Sequence, residues 1–195
     1  LAPADAARLN VGVAQDFDLA GQHRDAILHY ERAMRLDPDA HPTVHRQLGR
    51  LYALVNEPAR AHQSYTEALR LDPNDAGLLE QVGAFELAQG RPADAESHFR
   101  HAVAVNPDFD EAWLKLGLAL AAQRRYPEAM DAFEQVMDPA EARANIAIAM
   151  ARIGDFDGAW QQMLPATEGR PDLQRYNGLI ETMRAEQAAA IGDQW

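Results

Sequence analysis

Three short phrases decide the fold: AMRLDP at residues 33–38, ALRLDP at residues 68–73 and AVAVNP at residues 102–107. The second phrase begins 35 residues after the first, and the third begins 34 residues after the second. A globular domain has no general reason to repeat its boundaries, whereas a fixed period of roughly 20 to 50 residues is typical of stacked repeats. The phrases therefore predict a chain built from repeated units.

Small and large residues recur at fixed positions when the repeats are taken to start at residues 7, 42, 76, 110 and 140. The eighth position is always small: Ala14, Gly49, Gly83, Gly117 and Ala147. The twentieth is always alanine: Ala26, Ala61, Ala95, Ala129 and Ala159. The twenty-fourth is large: Tyr30, Tyr65, Phe99, Phe133 and Met163. Small residues allow two helices to approach closely, and a large residue fills the space beside them. Each unit is therefore predicted to be a pair of packed helices.

The turn inside each unit is predicted at position fifteen, which is occupied by Gly21, Asn56, Gly90, Arg124 and Gly154. Most of these residues accept the left-handed conformation that ends a helix. Pro58, Pro92 and Pro127 follow within two or three residues, where proline suits the first turn of a helix. The prolines that end the second helices are Pro38, Pro73, Pro107 and Pro171.

With this pattern the chain resembles the tetratricopeptide repeat (TPR) family from about residue 7 to residue 171. The fourth repeat carries the signature residues Trp113, Leu116, Gly117, Leu120, Ala129 and Phe133. The second carries Leu48, Gly49, Tyr52, Ala61, Tyr65, Ala68 and Pro73. The resemblance implies an all-α fold, a right-handed α-α superhelical solenoid of five helix pairs within one domain over residues 1–195. The expected repeats are about 7–41, 42–75, 76–109, 110–139 and 140–171.

Two departures from the family pattern, and the residues that follow the fifth repeat, carry expectations of their own. Asp138 and Pro139 arrive early, which should shorten the second helix of the fourth repeat. Glu86 stands where a bulky residue is usual, and Phe85 or Leu87 is expected to substitute for it. Residues 172–190 read as one helix with an apolar face of Tyr176, Leu179, Ile180 and Met183, suited to capping the last repeat. Residues 192–195 are expected to be a frayed tail.

Composition narrows the classes of partner. The net charge of -12 argues against nonspecific binding to nucleic acid or anionic membranes. No run of about 18 apolar residues is present to span a bilayer. The absence of cysteine excludes disulfides and thiolate metal sites but leaves the compartment open, cytoplasmic or periplasmic. A first residue of Leu1 is compatible with an earlier removal of a signal peptide or anchor. Seventeen arginines against the single Lys115 suggest a GC-rich bacterial genome.

Neither catalysis nor a cofactor is predicted. His98 and His101 flank the core position Phe99 and read as part of a solvated helix face rather than a metal site. His41 and His45 are four residues apart with Pro42 between them, and no carboxylate pattern accompanies them. Phosphate-binding glycine loops and hydrolase motifs are missing from the sequence. We therefore expect a protein that is not an enzyme and that holds no metal.

The candidate binding residues follow from the resemblance, which implies that the first helix of each repeat lines a concave groove. In the family, positions two, five, six, nine, twelve and thirteen of each repeat face ligand. The candidate residues taken from these positions are Arg8, Arg46, Gln47, Arg50, Gln81, Leu114, Lys115, Leu118, Asn145 and Arg152. Arg46, Arg50 and Lys115 form a cationic group that could hold a carboxylate. The alternative is that these cations pair with the protein's own surface carboxylates.

A carboxylate clamp for chaperone tails, known in some members of the family, is matched only in part, because Glu111 stands where that clamp needs a cation. The expected function is a non-catalytic interaction module or assembly scaffold that binds a peptide or a partner protein in the groove. The peptide is expected to carry acidic or C-terminal carboxylate groups. The alternatives are self-association into a homo-oligomer and a regulatory domain of a larger enzyme.

Overall fold

The computed structural model describes residues 2–37 and 42–192, and these residues form helices joined by short turns. The helices of the described part are α1 (Pro3–Leu19), α2 (His23–Leu36), α3 (Pro42–Leu54), α4 (Pro58–Leu71), α5 (Ala76–Ala88), α6 (Pro92–Val105), α7 (Asp110–Ala122), α8 (Tyr126–Phe133), α9 (Pro139–Arg152), α10 (Phe156–Thr167) and α11 (Arg175–Gly192). No strand occurs in these two ranges. The all-α prediction is therefore confirmed.

Two compact units make up the chain, residues 1–85 and residues 86–195, with the boundary inside α5. In the first unit, α1 packs on α2 and α3 packs on α4. In the second, α7 packs on α8 and α9 packs on α10. Consecutive helices joined by a short turn are the helical hairpins that the repeated pattern predicts. Whether the 195 residues form one solenoid domain remains a prediction.

The turns inside the hairpins have one common geometry. All five residues at position fifteen have positive φ, including the non-glycine residues Asn56 (62°) and Arg124 (61°). The N–H of the following residue donates back to the carbonyl of the fifth residue upstream, as in Gln22 N to Phe17 O (2.8 Å) and Arg125 N to Leu120 O (3.0 Å). This backbone hydrogen bond gives a partner to a carbonyl that the end of the helix would otherwise leave unpaired. The backbone, rather than the side chain, sets the conformation at this position.

In the first unit the core depends on the small and large positions that recur in the sequence. Ala14, Ala26 and Ala61 are fully buried, and the rings of Tyr30 and Tyr65 lie among them. The Tyr65 ring packs directly over Gly49, where a β-carbon would lie 2.6 Å from Cδ1. The large residue at position twenty-four thus occupies the space that the small residue at position eight leaves open.

In the second unit the same arrangement places the buried Phe133 against Gly117. Helix α8, which carries Phe133, has 8 residues, whereas α4 and α6 each have 14. Asp138 then begins α9, because its carboxylate accepts bonds from Ala140 N (2.8 Å) and Glu141 N (3.0 Å). The early Asp138-Pro139 pair therefore shortens the second helix, as the sequence indicates.

Glu86 is buried, with 2% of its surface exposed, so it is not simply replaced by a bulky neighbour. Its carboxylate forms an ion pair with Arg91, which follows the turn that ends α5. A buried carboxylate needs such a partner because desolvation of an isolated charge is costly. Phe85 is also buried, as expected, and belongs to the first unit.

Helix α11 begins at Arg175, three residues later than the predicted start at residue 172, because Arg170 to Gln174 form turns. Leu173, just before α11, and Ile180 on α11 are buried, and α11 contacts α9 and α10. The capping role of α11 remains a prediction. The tail is predicted over residues 192–195, but Gly192 still belongs to α11. Residues 193–195, together with Pro38 and His41, lie outside the described residues. Within the described ranges, no helix combines the length and the apolar character that crossing a membrane requires.

Candidate functional site

Arg46, one of the predicted groove residues, links two helices of the first unit. It lies on α3, and its Nε donates to Gln81 Oε1 of α5 at 2.9 Å. Its Nη1 donates to Asp75 Oδ2 at 3.0 Å, just before α5 begins. Both bonds use a guanidinium that is about three-quarters buried, with 27% of the side chain exposed. The predicted residues Arg46 and Gln81 are therefore brought together by the fold.

Arg50 lies one turn further along α3 and links it to α1. Its Nη2 forms an ion pair with the Asp18 carboxylate, and its Nε donates to Gln47 Oε1 at 3.1 Å. His23 Nδ1 lies 3.2 Å from the other oxygen of Asp18. Carboxylates of the protein thus already neutralise both arginines, which is the alternative that the sequence left open.

The polar network of Arg46, Gln47, Arg50 and Gln81 lies close to a buried aromatic ring. Burial raises the pKa of Tyr65 to about 12, although the positive charges of Arg50 and Arg46 act in the opposite direction. The tyrosine is therefore a neutral packing group at physiological pH. Its role in this region is structural.

Lys115 and Arg8 are also paired within their own helices. Lys115 Nζ lies 2.9 Å from Glu111 Oε1, one turn earlier on α7. Arg8 Nη2 lies 2.8 Å from Asp5 Oδ1 on α1 and is largely exposed. Exposed pairs of this kind contribute about 0 to 1 kcal/mol each. Leu114, next to Lys115, is half-buried.

The second unit contains an apolar cleft of about 450 Å³ between α7 and α9, with the end of α5 at its edge. The residues that line this α7–α9 cleft are Leu87, Leu118, Ala122, Asn145, Ile148, Ala149, Arg152 and Ile153. Leu118 and Ile153 remain 36% and 41% exposed. Concave apolar surface that folding leaves open to solvent is typical of a binding site.

Charge in the α7–α9 cleft is limited to one side chain among the described lining residues. Arg152 ends α9 and is exposed, and within the described part of the chain it has no ion-pair partner. This distinguishes Arg152 from Arg46 and Arg50, whose charges are matched inside the first unit. The cleft can therefore offer a guanidinium to an incoming carboxylate.

Asn145 is oriented by the helix that carries it. Its Nδ2 donates to Glu141 O at 3.0 Å and approaches Met137 Sδ at 3.3 Å. Among the described residues its Oδ1 has no donor, so this oxygen can accept a bond from a ligand. The cleft thus has an acceptor near one end and a cation near the other.

A further cleft of about 410 Å³ in the first unit is polar and internally paired. Tyr52 Oη donates to Glu31 Oε1 at 2.5 Å, and Arg60 pairs with the same carboxylate. Burial and this bond raise the pKa of Tyr52 well above its ordinary value. His45 also lines this cleft, and burial lowers its pKa. Because its carboxylates and guanidinium groups already bind each other, this cleft is less suited to a ligand.

The sequence-predicted residues fall into three groups. Leu118, Asn145 and Arg152 meet in the α7–α9 cleft. Arg46, Gln47, Arg50 and Gln81 form the polar network of the first unit. Arg8, Leu114 and Lys115 belong to neither group.

The residues predicted from the sequence cover only part of the α7–α9 cleft. Leu87 and Ala122 occupy positions twelve and thirteen of their repeats, which the family pattern already assigns to the groove. Ala149 and Ile153 occupy positions ten and fourteen, which that pattern does not include. The missing residues could thus have been found only in part.

Metal ligation has no support in the described ranges, where no three histidine, aspartate or glutamate side chains gather in a group that could hold an ion. His101 is exposed on α6 and His98 is half-buried on either side of the buried Phe99.

Comparison with known proteins shows which repeat family this helical architecture resembles. Tetratricopeptide repeat models match residues 42–75 and residues 86–144. Tetratricopeptide repeat protein 7A of Homo sapiens is 29% identical over 121 residues, which cover 62% of this chain and only 14% of that protein. The chain thus matches a small part of a much longer relative.

Two solved structures show the likeness of fold. YrrB, described as a TPR protein with an unusual peptide-binding site, has a TM-score of 0.69 at 23% identity, over 88% of this chain and 90% of its own. A tetratricopeptide repeat protein from Parabacteroides merdae has a TM-score of 0.75 at 21% identity, over 97% of this chain and 77% of its own. At these identities the likeness concerns the fold alone.

Proposed function

Because this chain belongs to the tetratricopeptide repeat family, we propose that it is a non-catalytic module that binds a partner protein through the first helices of its repeats. The observation that carries the proposal is the α7–α9 cleft, where apolar side chains from three helices remain open to solvent. Three residues that the family pattern assigns to ligand, Leu118, Asn145 and Arg152, line it. A segment of the partner would bury this surface on binding.

The polar network of the first unit has a supporting part in this proposal. Arg46 and Arg50 join α3 to α5 and to α1, so they hold three first helices in register. A surface whose side chains are held before binding loses less conformational entropy when a partner arrives. Arg8 on α1 of the first unit, and Leu114 and Lys115 on α7 of the second unit, are proposed to be further contact residues, each within its own unit.

Matched variants in the second unit test this function. Leu118→Asp places a charge in the cleft, whereas Leu164→Asp places the same charge on α10 at a leucine that is 65% exposed. Each form is used as bait in its native lysate, and the recovered partner is then purified and titrated by calorimetry. We expect the wild type and Leu164→Asp to bind the partner alike. Leu118→Asp should bind it more weakly, by a factor of about ten or more. A partner that binds all three forms equally would contradict the proposal.

Self-association is a second candidate, and one observation in the first unit favours it. Leu9 at the third position of the first repeat is 59% exposed, whereas Val44 at the third position of the second repeat is 3% exposed. The face of α1 that carries Leu9 could pack on a second copy. Light scattering over a range of concentrations decides this, because a dimer would exceed the monomer mass of 21.6 kDa. Leu9→Glu should return the measured mass to that of the monomer. A monomer at every concentration would reject self-association.

A further inference from the structure

A second, shallow cleft adjoins the α7–α9 cleft in the same unit. It has a volume of about 470 Å³ and lies between the end of α9 and α11, where Met183, Glu186 and Gln187 line it. Arg152 and Ile153 line both clefts. The two clefts therefore adjoin each other at Arg152 and Ile153, and together they are called the path below.

We propose that this path binds an internal, extended segment of a partner protein in which an acidic side chain stands between apolar residues and a basic residue. The inference rests on the proposed function and names the class of segment that the site takes. Apolar side chains would fill the α7–α9 cleft, the acidic side chain would meet Arg152, and the basic side chain would meet Glu186.

The order of the acidic and basic side chains in the segment follows from the charges at the site. Arg152 and Glu186 both line the α9–α11 cleft and are exposed, yet they form no ion pair with each other. Within the described residues neither has another ionic partner. A segment with a carboxylate and a cation in the complementary order satisfies both, and complementary charges set the register of a bound chain.

The length of α9 sets the spacing of the apolar part. Asn145 and Arg152 are seven residues apart on this helix, which corresponds to roughly 10 Å along its axis. An extended peptide covers that distance with about three residues. Asn145 Oδ1 can accept a backbone N–H of the segment at the far end, because its Nδ2 is already used within the helix. About three residues, apolar where they face Leu118 and Ile148, thus precede or follow the acidic residue.

The chemistry of the site favours a peptide over other anionic ligands. A nucleic-acid backbone would need several cations, and Glu186 would repel it. A chain terminus would leave the α9–α11 cleft empty, whereas an internal segment continues into it. Apolar contact area and one pair of opposite charges are what an internal protein segment can supply.

Panning a display library of random short peptides against the full chain tests the inference. We expect the wild type to enrich sequences with apolar residues, then an acidic and a basic residue, in one direction along the chain. Arg152→Glu should select a basic residue at the acidic position and should bind the wild-type peptides about tenfold more weakly. The double variant with Arg152→Glu and Glu186→Arg should enrich the two charges in reversed order. Arg143→Glu, an exposed change on α9 outside both clefts, should select the wild-type sequences.

The outcomes separate the two levels of the proposal. Enriched peptides that Arg152→Glu leaves unchanged, but that Leu118→Asp abolishes, would overturn the charge order and keep peptide binding in the α7–α9 cleft. Peptides that are indifferent to both variants would overturn the site. No enrichment above the empty support would reject this inference, while the lysate partner and its dependence on Leu118 would still decide the proposed function.

Discussion

Gly49 faces Tyr65 so closely that a β-carbon at residue 49 would lie 2.6 Å from the ring carbon Cδ1. Tyr65 is 4% exposed, so its ring cannot move into solvent without opening the core of the first unit. The two residues come from the two helices of one pair, α3 and α4. Their contact is the reason why a small residue at position eight accompanies a large residue at position twenty-four.

Gly49→Ala should therefore destabilise the protein, on the order of 1 to 3 kcal/mol of unfolding free energy, because the new methyl group overpacks the ring. Gly12→Ala is the matched control, since nothing lies within 4 Å of a β-carbon at this exposed glycine of α1. There alanine should stabilise by roughly 0.5 to 1 kcal/mol through helix propensity. Urea unfolding of both variants measures the contrast.

The contact with Tyr65 can be isolated by a double-mutant cycle. In a Tyr65→Leu background, the cost of Gly49→Ala should fall because the ring is gone. An equal cost in both backgrounds would show that the ring is not what restricts residue 49.

The turn positions show how far the sequence predicts the fold. Gly21, Gly90 and Gly154 mark their turns through their own flexibility, and Asn56 is the next most tolerant residue. Arg124 carries no such signal, yet its φ is 61° as well. Only the repeat period identifies it as a turn, because the bonds of the flanking backbone impose the conformation on whichever residue is present.

Arg124→Gly should stabilise the second unit slightly. It removes left-handed strain of roughly 1 to 2 kcal/mol and returns up to about 1 kcal/mol through the greater freedom of the unfolded chain. Gly90→Ala is the opposite change at the equivalent turn, where φ is 73° and no atom crowds a β-carbon. It should lower the melting midpoint. Midpoints that move in the same direction for both variants would mean that backbone strain does not govern these turns.

Glu96 should make stability depend on pH in the acid range. Burial alone would raise its pKa, but bonds from Arg100 Nε (2.8 Å), Gln123 Nε2 (2.8 Å) and Arg125 Nη1 (2.6 Å) more than offset this, and the pKa of Glu96 is lowered. A lowered folded-state pKa adds stability above the ordinary glutamate pKa of about 4.3, and this stability is lost as the pH falls through the folded-state value.

Glu96→Gln should thus be less stable than the wild type near neutral pH, and the difference should narrow as the pH falls below about 4. Urea unfolding at a series of pH values measures the difference. Glu134→Gln is the control, because Glu134 is exposed and has no ion pair among the described residues. A difference between wild type and Glu96→Gln that stays constant across pH would exclude this account of the network.

Two neighbouring residues of α11 test the capping role of this helix. Ile180 is fully buried, whereas Leu179 is 44% exposed. Ile180→Ala should cost about 2 to 5 kcal/mol and reduce hydrogen-exchange protection in α9, which α11 contacts. Leu179→Ala should change stability by no more than about 0.5 kcal/mol. Full protection of α9 in Ile180→Ala would show that α11 does not cap it.

The candidate site was less predictable than the fold, for a physical reason. Arg46 pairs with Asp75 and Gln81, which lie 29 and 35 residues away, so its partners depend on how helices pack and on which rotamers result. The family positions identify Leu118, Asn145 and Arg152, but they do not show which of the predicted cations is left without an ion pair and can meet a ligand. Arg152 does so because no acidic residue of the described part lies within ion-pair distance of it.

The surface of the second unit that a partner contacts can be located directly by methyl NMR of the full chain. Leucine and isoleucine methyl groups are observed while the purified partner is added. We predict that Leu118, Ile148 and Ile153, which line the α7–α9 cleft, shift on binding, whereas the exposed Leu164 and Leu28 do not. Shifts confined to Leu164 and Leu28, with the cleft methyl groups unchanged, would contradict the central claim.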